Sequence, residues 1–342
     1  MKKDILVGMS GGVDSALTAA LLQKQGYRVL GTYCIMHDQD KDGLKDAATV
    51  ARHLGIELTT VDLRQRFDEI VVTDFLKEYA RARTPNPCII CNPTVKFHGL
   101  LAEADAHGIE HVATGHYADI RRDEPSGRYY VAASAEKDQS YMLYRLTQEQ
   151  LPRIVFPLFN SKKEENRRLS DAYGIPVFQK PDSQEICFIR DEAYTDYIER
   201  RLGSFPKGDF WLREEDRAVG THKGLIHYTI GQRKNLGIAL GAPVYVTELD
   251  TENNRVILSK TDVVNCTEIT VTDPVFQKLS PKATRFKAEA KIRFSAKTAP
   301  CTVIVRNGLL HARFETPQRA ATPGQSAVFY KDGKVLCGGF IR

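Results

Sequence analysis

The sequence predicts an α/β chain in three parts: a parallel, doubly wound sheet with helices on its faces, a small central β domain, and a C-terminal β-barrel. Three observations carry this expectation. Through about Tyr117, short apolar runs alternate with stretches of helical length and periodicity, the pattern of βαβ units. Beyond Ser204 helical periodicity is lost, and short β-type runs alternate with glycine turns. Charge is also uneven: residues 266–342 hold 13 Lys or Arg against 5 Asp or Glu, whereas the rest of the chain holds 35 against 38. A length of 342 residues suits two or three domains, expected at 1–203, 204–264 and 265–342.

In chain order, Asp4 to Ser10 reads as a strand, followed by a helix to Gln25 that stops at Gly26. Arg28 to Ile35 is a second strand, Asp42 to Leu54 a helix closed by Gly55, and Glu57 to Leu63 a third strand. Helices follow from about Phe67 to Ala82 and from Pro93 to His107, then a fourth strand from His111 to Tyr117. Ligands of such sheets bind at the carboxyl ends of the strands, where the turn after Ile5-Leu6-Val7 and Gly115-His116 both fall. Arg121 to Ala133, around Ser126-Gly127, has the alternation of a hairpin. Arg145 to Leu202 reads as a helical extension: Ser161 to Glu164 has capping-box spacing, and a last helix from Ala193 to Leu202 stops at Gly203. Strands are then expected at Asp209–Leu212, Leu225–Ile230, Val244–Leu249 and Arg255–Leu258. The final segment is all strand, with turns at Asn307-Gly308, Pro323-Gly324 and Asp332-Gly333.

Composition narrows the class. The chain enters a strand almost at once, leaving no room for a signal peptide, and no apolar run could span a bilayer. Seven cysteines without an export signal imply reduced thiols and a cytoplasmic setting. The basic last segment suggests a polyanionic partner. Within it Lys287, Lys291 and Arg293 alternate with Ala288, Ala290 and Ile292, which gives one strand face for phosphates and one for the core.

Two stretches carry chemistry. Gly8, Met9, Ser10, Gly11, Gly12, Val13, Asp14 and Ser15 join a strand to a helix N-terminus, where unpaired amides and the helix dipole attract phosphate. No lysine follows the glycines, so the pattern is not the Walker loop. The second stretch is Thr84-Pro-Asn-Pro-Cys-Ile-Ile-Cys-Asn92. Its prolines are expected to hold Cys88 out of a helix that begins after Asn92, leaving Cys91 near an N-terminus that favours thiolate. A C-x-x-C pair fits a redox couple, half of a zinc site or a catalytic loop; no second C-x-x-C or H-x-x-H completes a zinc set. Cys187 lies in a polar stretch, whereas Cys34, Cys266, Cys301 and Cys337 lie in apolar strand patterns and are expected to be buried.

The glycine turn resembles the S-G-G-x-D-S signature of the ATP pyrophosphatases, which cleave ATP to AMP and pyrophosphate while adenylating a substrate. Together with T-P-N-P-C-x-x-C-N, Ala113-Thr-Gly-His-Tyr117, Lys137-Asp-Gln-Ser-Tyr141, Pro181-Asp-Ser183, Tyr228-Thr-Ile-Gly-Gln-Arg-Lys234 and Pro323-Gly-Gln-Ser-Ala327, it resembles the bacterial tRNA-specific 2-thiouridylase family over almost the whole chain. The resemblance implies a pyrophosphatase-type nucleotide domain and a barrel like that of elongation factor Tu. It also implies ATP with Mg as co-substrate, tRNA as substrate, and a cysteine desulfurase or sulfur carrier as donor. Cys187 matches the residue that carries a persulfide and Cys91 the nucleophile that forms a disulfide with it. Gly8 to Ser15, Cys34 and Gly115 match ATP contacts; Asn86, Pro87 and Cys88 match the target-base pocket. His116, Lys137, Asp138, Gln139, Arg293, Phe294 and Gln325 match tRNA contacts. Cys88 stands where some members carry aspartate, Cys34 where methionine is common, and Phe294 where tyrosine is usual. The cysteine at 88 opens a variant mechanism in which Cys88, Cys91 and Cys187 hold an iron–sulfur cluster. The other readings left open are a different adenylating ATP pyrophosphatase and a non-catalytic, ATP-responsive RNA-binding protein.

Overall fold

The computed structural model describes residues 3–38, 41–178, 186–261 and 265–342. Its first sheet is all parallel, built from β1 (Asp4–Gly8), β2 (Arg28–Ile35), β3 (Glu57–Asp62), β4 (His111–Ala113) and a two-residue edge strand at Ile154–Val155, in the order β3-β2-β1-β4-edge. Ile5, Leu6 and Val7 of β1 are fully buried because helices cover both faces. The helices are α1 (Val13–Lys24), α2 (Lys41–Leu54), α3 (Arg64–Phe67), α4 (Thr73–Ala80), α5 (Pro87–Cys91) and α6 (Phe97–Ala106). Between α3 and α4, and again between α5 and α6, a single π-helical turn (Asp68–Val72 and Asn92–Lys96) keeps the helix continuous.

Several expectations change here. The helix expected from Pro93 begins at Pro87, with Asn86 as its cap: the Asn86 side-chain oxygen accepts from the Cys88 N–H at 3.2 Å. Pro93 is tolerated inside because the π turn rearranges the ladder around its missing N–H. The Pro93 and Thr94 carbonyls are taken up by Gln150 (2.8 Å) and Arg66 (2.7 Å). The fourth strand ends at Ala113, not Tyr117, and the supposed helical extension contains the edge strand, too short to show periodicity. No capping box forms. The helix α7 (Lys163–Ala172) has no side-chain cap, and the Ser161 hydroxyl bonds instead to the Leu158 carbonyl.

The expected hairpin is present as β5 (Ala118–Arg122) and β6 (Tyr129–Ala133), and α8 (Tyr194–Leu202) precedes the second sheet. That sheet is β8 (Gly208–Leu212), β9 (Arg217–His222), β10 (Tyr245–Asp250) and β11 (Arg255–Ser259), in the order β10-β11-β8-β9 once the edge strand is counted as β7. Leu225–His227 is a 3-10 turn, not a strand, while β9 was missed because apolar and polar residues do not alternate along Arg217-Ala-Val-Gly-Thr-His222 and its burial has no period of two. The last six strands, β12 (Asn265–Phe276), β13 (Arg285–Lys291), β14 (Ala299–Arg306), β15 (Leu309–Arg319), β16 (Ser326–Lys331) and β17 (Lys334–Ile341), form a barrel closed by β12–β17 pairing. Strand β6 pairs with β17, so the hairpin extends the barrel sheet. Among the described residues no helix is long and apolar enough to cross a membrane.

Candidate active site

The ends of β1 and β4 lie side by side, and the turn from β1 into α1 leaves the sheet there. Its shape is set by its own side chains. The Ser15 hydroxyl donates to the Gly12 carbonyl (3.0 Å) and accepts from the Ser10 N–H (3.1 Å). At Gly11, φ is +73° and a Cβ would come within 2.4 Å of the Gly43 carbonyl, so only glycine fits. No side chain caps α1 at Gly12, which leaves the first-turn amides directed at any anion in front of them. Gly115 meets the same helix from β4: a Cβ there would sit 2.7 Å from the Asp14 carbonyl carbon.

Asp14 is held from two sides. Its carboxylate accepts from the Tyr117 hydroxyl at 2.7 Å and pairs with the Lys137 ammonium at 3.4 Å. Asn166 donates to the Tyr117 oxygen at 3.0 Å, and Lys137 lies over the Tyr117 ring. Burial, then the bond to Asp14, raises the Tyr117 pKa and keeps the hydroxyl a donor.

A cavity of about 660 Å³ extends from this turn to the thiols. Gly8, Met9, Ser10, Asp14, Ser15, Cys34 and Gly115 line one part; Asn86, Pro87, Cys88, Cys91 and Cys187 line another, with His116, Gln139 and Gln325 between. Gly11, Gly12 and Val13 shape the turn without lining the cavity. Cys88 and Cys187 are exposed and Cys91 is buried. The expected activation of Cys91 by a nearby helix N-terminus does not hold. The helix starts four residues earlier, and burial pushes the Cys91 thiol up to about 12 despite the opposing pull of Lys96. Its sulfur lies 3.9 Å from that of Met36. Of the four cysteines expected to be buried, Cys301 and Cys337 are, whereas Cys34 and Cys266 are half-buried; desolvation still pushes Cys34 up to about 12.

The residues matched to tRNA contacts divide into groups. His116 packs its ring against Phe97 and Phe156 and bonds Thr114 at 2.7 Å; burial, with Lys96 and Lys137 adding to it, holds the imidazole neutral. The Gln139 side chain accepts from the Tyr117 N–H (2.9 Å), and Gln325 donates to the Thr84 carbonyl (2.7 Å), which ties the barrel to the cysteine stretch. Lys137, Asp138, Arg293 and Phe294 do not line the cavity. Asp138 pairs with Lys291 at 3.7 Å, Arg293 donates to the Arg319 carbonyl at 2.8 Å, and Phe294 is exposed with its ring near Tyr141. Ala288, Ala290 and, just past β13, Ile292 are buried as expected, but the opposite face is mixed: exposed Glu289 lies between Lys287 and Lys291, and Lys291 is mostly covered and paired with Asp138. Pro181 to Ser183 lie outside the described residues.

Sequence reasoning missed Lys96, half-buried in the cavity wall, with its ammonium 3.1 Å from the Asn92 side-chain oxygen. A lysine between the apolar Val95 and Phe97 was the available signal. The cluster alternative is not supported by the ligand geometry. Among the described residues no three His, Cys, Asp or Glu side chains are grouped so as to hold a metal ion.

Family models match consecutive parts of the chain: a tRNA methyl transferase HUP domain over residues 3–191, a tRNA methyl transferase PRC-barrel domain over 195–260, and an aminomethyltransferase β-barrel domain over 266–341. The tRNA-specific 2-thiouridylase MnmA of Acetivibrio thermocellus is 43% identical, with 99% of each chain covered. The protein of the same name from Clostridioides difficile is 39% identical over 100% of this chain and 98% of its own. With that identity end to end, and the glycine turn and thiols in one cavity, the chain belongs to the tRNA-specific 2-thiouridylase family.

Proposed function

We propose that the protein is an ATP-dependent transferase that replaces the 2-oxygen of the wobble uridine of tRNA with sulfur, releasing AMP and pyrophosphate. The observation that carries this reading is one cavity shared by an anion-binding turn and the thiols Cys88, Cys91 and Cys187. In this reading the chain divides at 1–203, 204–264 and 265–342, the first part catalytic and the last RNA-binding. MgATP lies along Gly8 to Ser15, Cys34 and Gly115, and the target base rests on Asn86, Pro87 and Cys88. The 2-oxygen of the uracil attacks the α-phosphorus and pyrophosphate leaves, so the oxygen becomes part of a good leaving group.

The sulfur step uses the other part of the cavity. The terminal sulfur of a persulfide on Cys187 bonds to C2. Cys91 attacks the inner sulfur, the S–S bond breaks, and the C2–O bond breaks to release AMP. The outer sulfur is thereby reduced to the sulfide level, and Cys91 and Cys187 are left as a disulfide that an external thiol reductant opens. Exposure of Cys187 supports loading by a cysteine desulfurase or sulfur-carrier protein, since a donor must reach it. Burial of Cys91 supports a nucleophile held as thiol until the substrate is in place.

Cys187→Ser is expected to abolish 2-thiouridine formation while tRNA-dependent pyrophosphate release continues. Pyrophosphate assays with nucleoside mass spectrometry check it, and thiolation that survives the substitution removes the persulfide assignment. Protein purified without oxygen and shown free of iron should thiolate at full rate; dependence of that rate on iron would restore the cluster mechanism.

A further inference from the structure

Lys96 stands where a lysine is costly. It follows Val95 and precedes Phe97, both fully buried, and is itself half-buried in the wall of the cavity. The π turn that carries it decides where its ammonium goes. In such a turn each amide reaches the carbonyl five residues back, as the Phe97 N–H does to that of Asn92, so residues five apart lie on the same side of the helix. Cys91 and Lys96 are five apart, and both line the cavity. The ammonium is held 3.1 Å from the Asn92 side-chain oxygen. Asn92 is almost fully buried and is fixed from its other end, its side-chain N–H donating to the Met142 carbonyl at 2.9 Å. A brace of this kind keeps a flexible four-carbon side chain in one place.

Three groups from different elements feel that charge. Burial raises the thiols of Cys91 on α5 and Cys34 on β2 and lowers the imidazole of His116 after β4; the charge with the largest effect on each is Lys96. The ammonium therefore lies between the nucleotide part of the cavity and the thiols. Among the described residues the titratable groups that face the Cys91 sulfur are Cys88 and Lys96 on its own continuous helix, Cys34 from β2 and Cys187 from the segment before α8, and Lys96 alone of these is cationic. A buried thiol is a poor nucleophile until it loses its proton, and a neighbouring cation stabilises the thiolate. We propose that Lys96 is a positioning residue for the sulfur step, the counter-charge beside which the Cys91 thiolate forms as it attacks the persulfide on Cys187. The step needs no further reactant. The Cys91 thiol gives its proton to water, and its sulfur bonds to the inner sulfur on Cys187. The bond from that sulfur to the outer one breaks, the outer sulfur keeps the electron pair at C2, and Lys96 keeps its protons throughout.

This inference rests on the sulfur transfer proposed above, and the test separates the two. Iodoacetate and iodoacetamide are nearly equal in size and differ in charge, so the ratio of their rates at one cysteine reports positive charge beside its sulfur, whatever the access. The ratio at Cys91 is measured by peptide mass spectrometry on the full chain without tRNA, at low ionic strength and mildly alkaline pH, against a cysteine peptide in the same solution. In Lys96→Gln the iodoacetamide rate and the ratio are both expected to fall, the ratio about fivefold or more; Lys96→Arg, which keeps the charge, should stay within about twofold of the parent. In a single turnover with tRNA, Lys96→Gln should form 2-thiouridine on the order of tenfold more slowly, and Lys96→Arg near the parent rate. An unchanged ratio at Cys91 in Lys96→Gln would overturn the assignment. So would an equal fall in Lys96→Arg, which would make Lys96 a packing residue. A parent that shows the charge effect at Cys91 but forms no 2-thiouridine would defeat the proposed reaction while upholding the charge beside Cys91.

Discussion

Four thiols line one cavity, Cys34 beside the glycine turn and Cys88, Cys91 and Cys187 in the other part, and their surroundings separate their reactivity. Cys88 and Cys187 are exposed; Cys91 is buried and held as thiol. At pH 7.5, brief treatment of the free protein with iodoacetamide should label Cys88 and Cys187 at least about tenfold faster than Cys91, read by peptide mass spectrometry. Equal labelling would mean that burial does not govern Cys91. The buried thiols also predict alkaline behaviour. Burial pushes Cys34, Cys91 and Cys301 up to about 12, so the folded chain holds these protons more tightly than the unfolded chain does. The resulting stability is complete below the unfolded thiol range near 9 and is lost as pH rises toward 12. The melting temperature should therefore fall between pH 9 and 11, and less steeply in a Cys34→Met/Cys301→Val variant. At this scale the sequence was a good guide to identity and a poor one to environment. Spacing singled out the Cys88–Cys91 pair and the family resemblance singled out Cys187, but the state of Cys91 depends on where a helix begins.

Helix starts and strand ends decide that environment. The anion turn was legible because its determinants are local: a strand, then three glycines and two serines within the eight residues Gly8 to Ser15. The beginning of α5 was not, because Asn86 can cap a helix whose first residue is proline, and the π turn then lets the helix run through Pro93. The same turn places Asn92 and Lys96 in the cavity wall, which a helix starting at Pro93 would not suggest. Strand β7 escaped notice because two residues carry no period, and its place was fixed only by pairing with β4. The approach of β4 to α1 yields a further prediction. Gly115→Ala drives a methyl group into the Asp14 backbone, tilting the first turn of α1 away from the phosphates. ATP affinity measured by calorimetry should fall at least about tenfold, whereas tRNA affinity should be little altered.

On the scale of the whole molecule, the nucleotide-binding part and the barrel are stitched together by buried polar bonds. Gln277, fully buried, accepts from the Val131 N–H (2.9 Å) and donates to the Leu143 and Tyr144 carbonyls (3.1 and 3.0 Å). Tyr141 donates to the Ser326 carbonyl (2.9 Å), and Arg128 reaches the Phe276 and Gln277 carbonyls, both at 2.6 Å. Gln277→Leu leaves an N–H and carbonyls unpaired in the interior and should cost about 2–4 kcal/mol, read from denaturant unfolding. These long-range pairings have no signature in a single sequence, since nothing near Gln277 marks it as the partner of a hairpin some 146 positions earlier. The hairpin β5–β6 borrows its neighbour from β17, and that loan constrains how the protein can be taken apart. A chain ending at residue 264 would leave the β6 rim and the surface beneath Tyr141 and Tyr144 open to any passing strand, a recipe for edge-to-edge aggregation. Genetic shuffling that exchanged the barrel alone would meet the same obstacle, so the two parts are expected to be inherited as a pair.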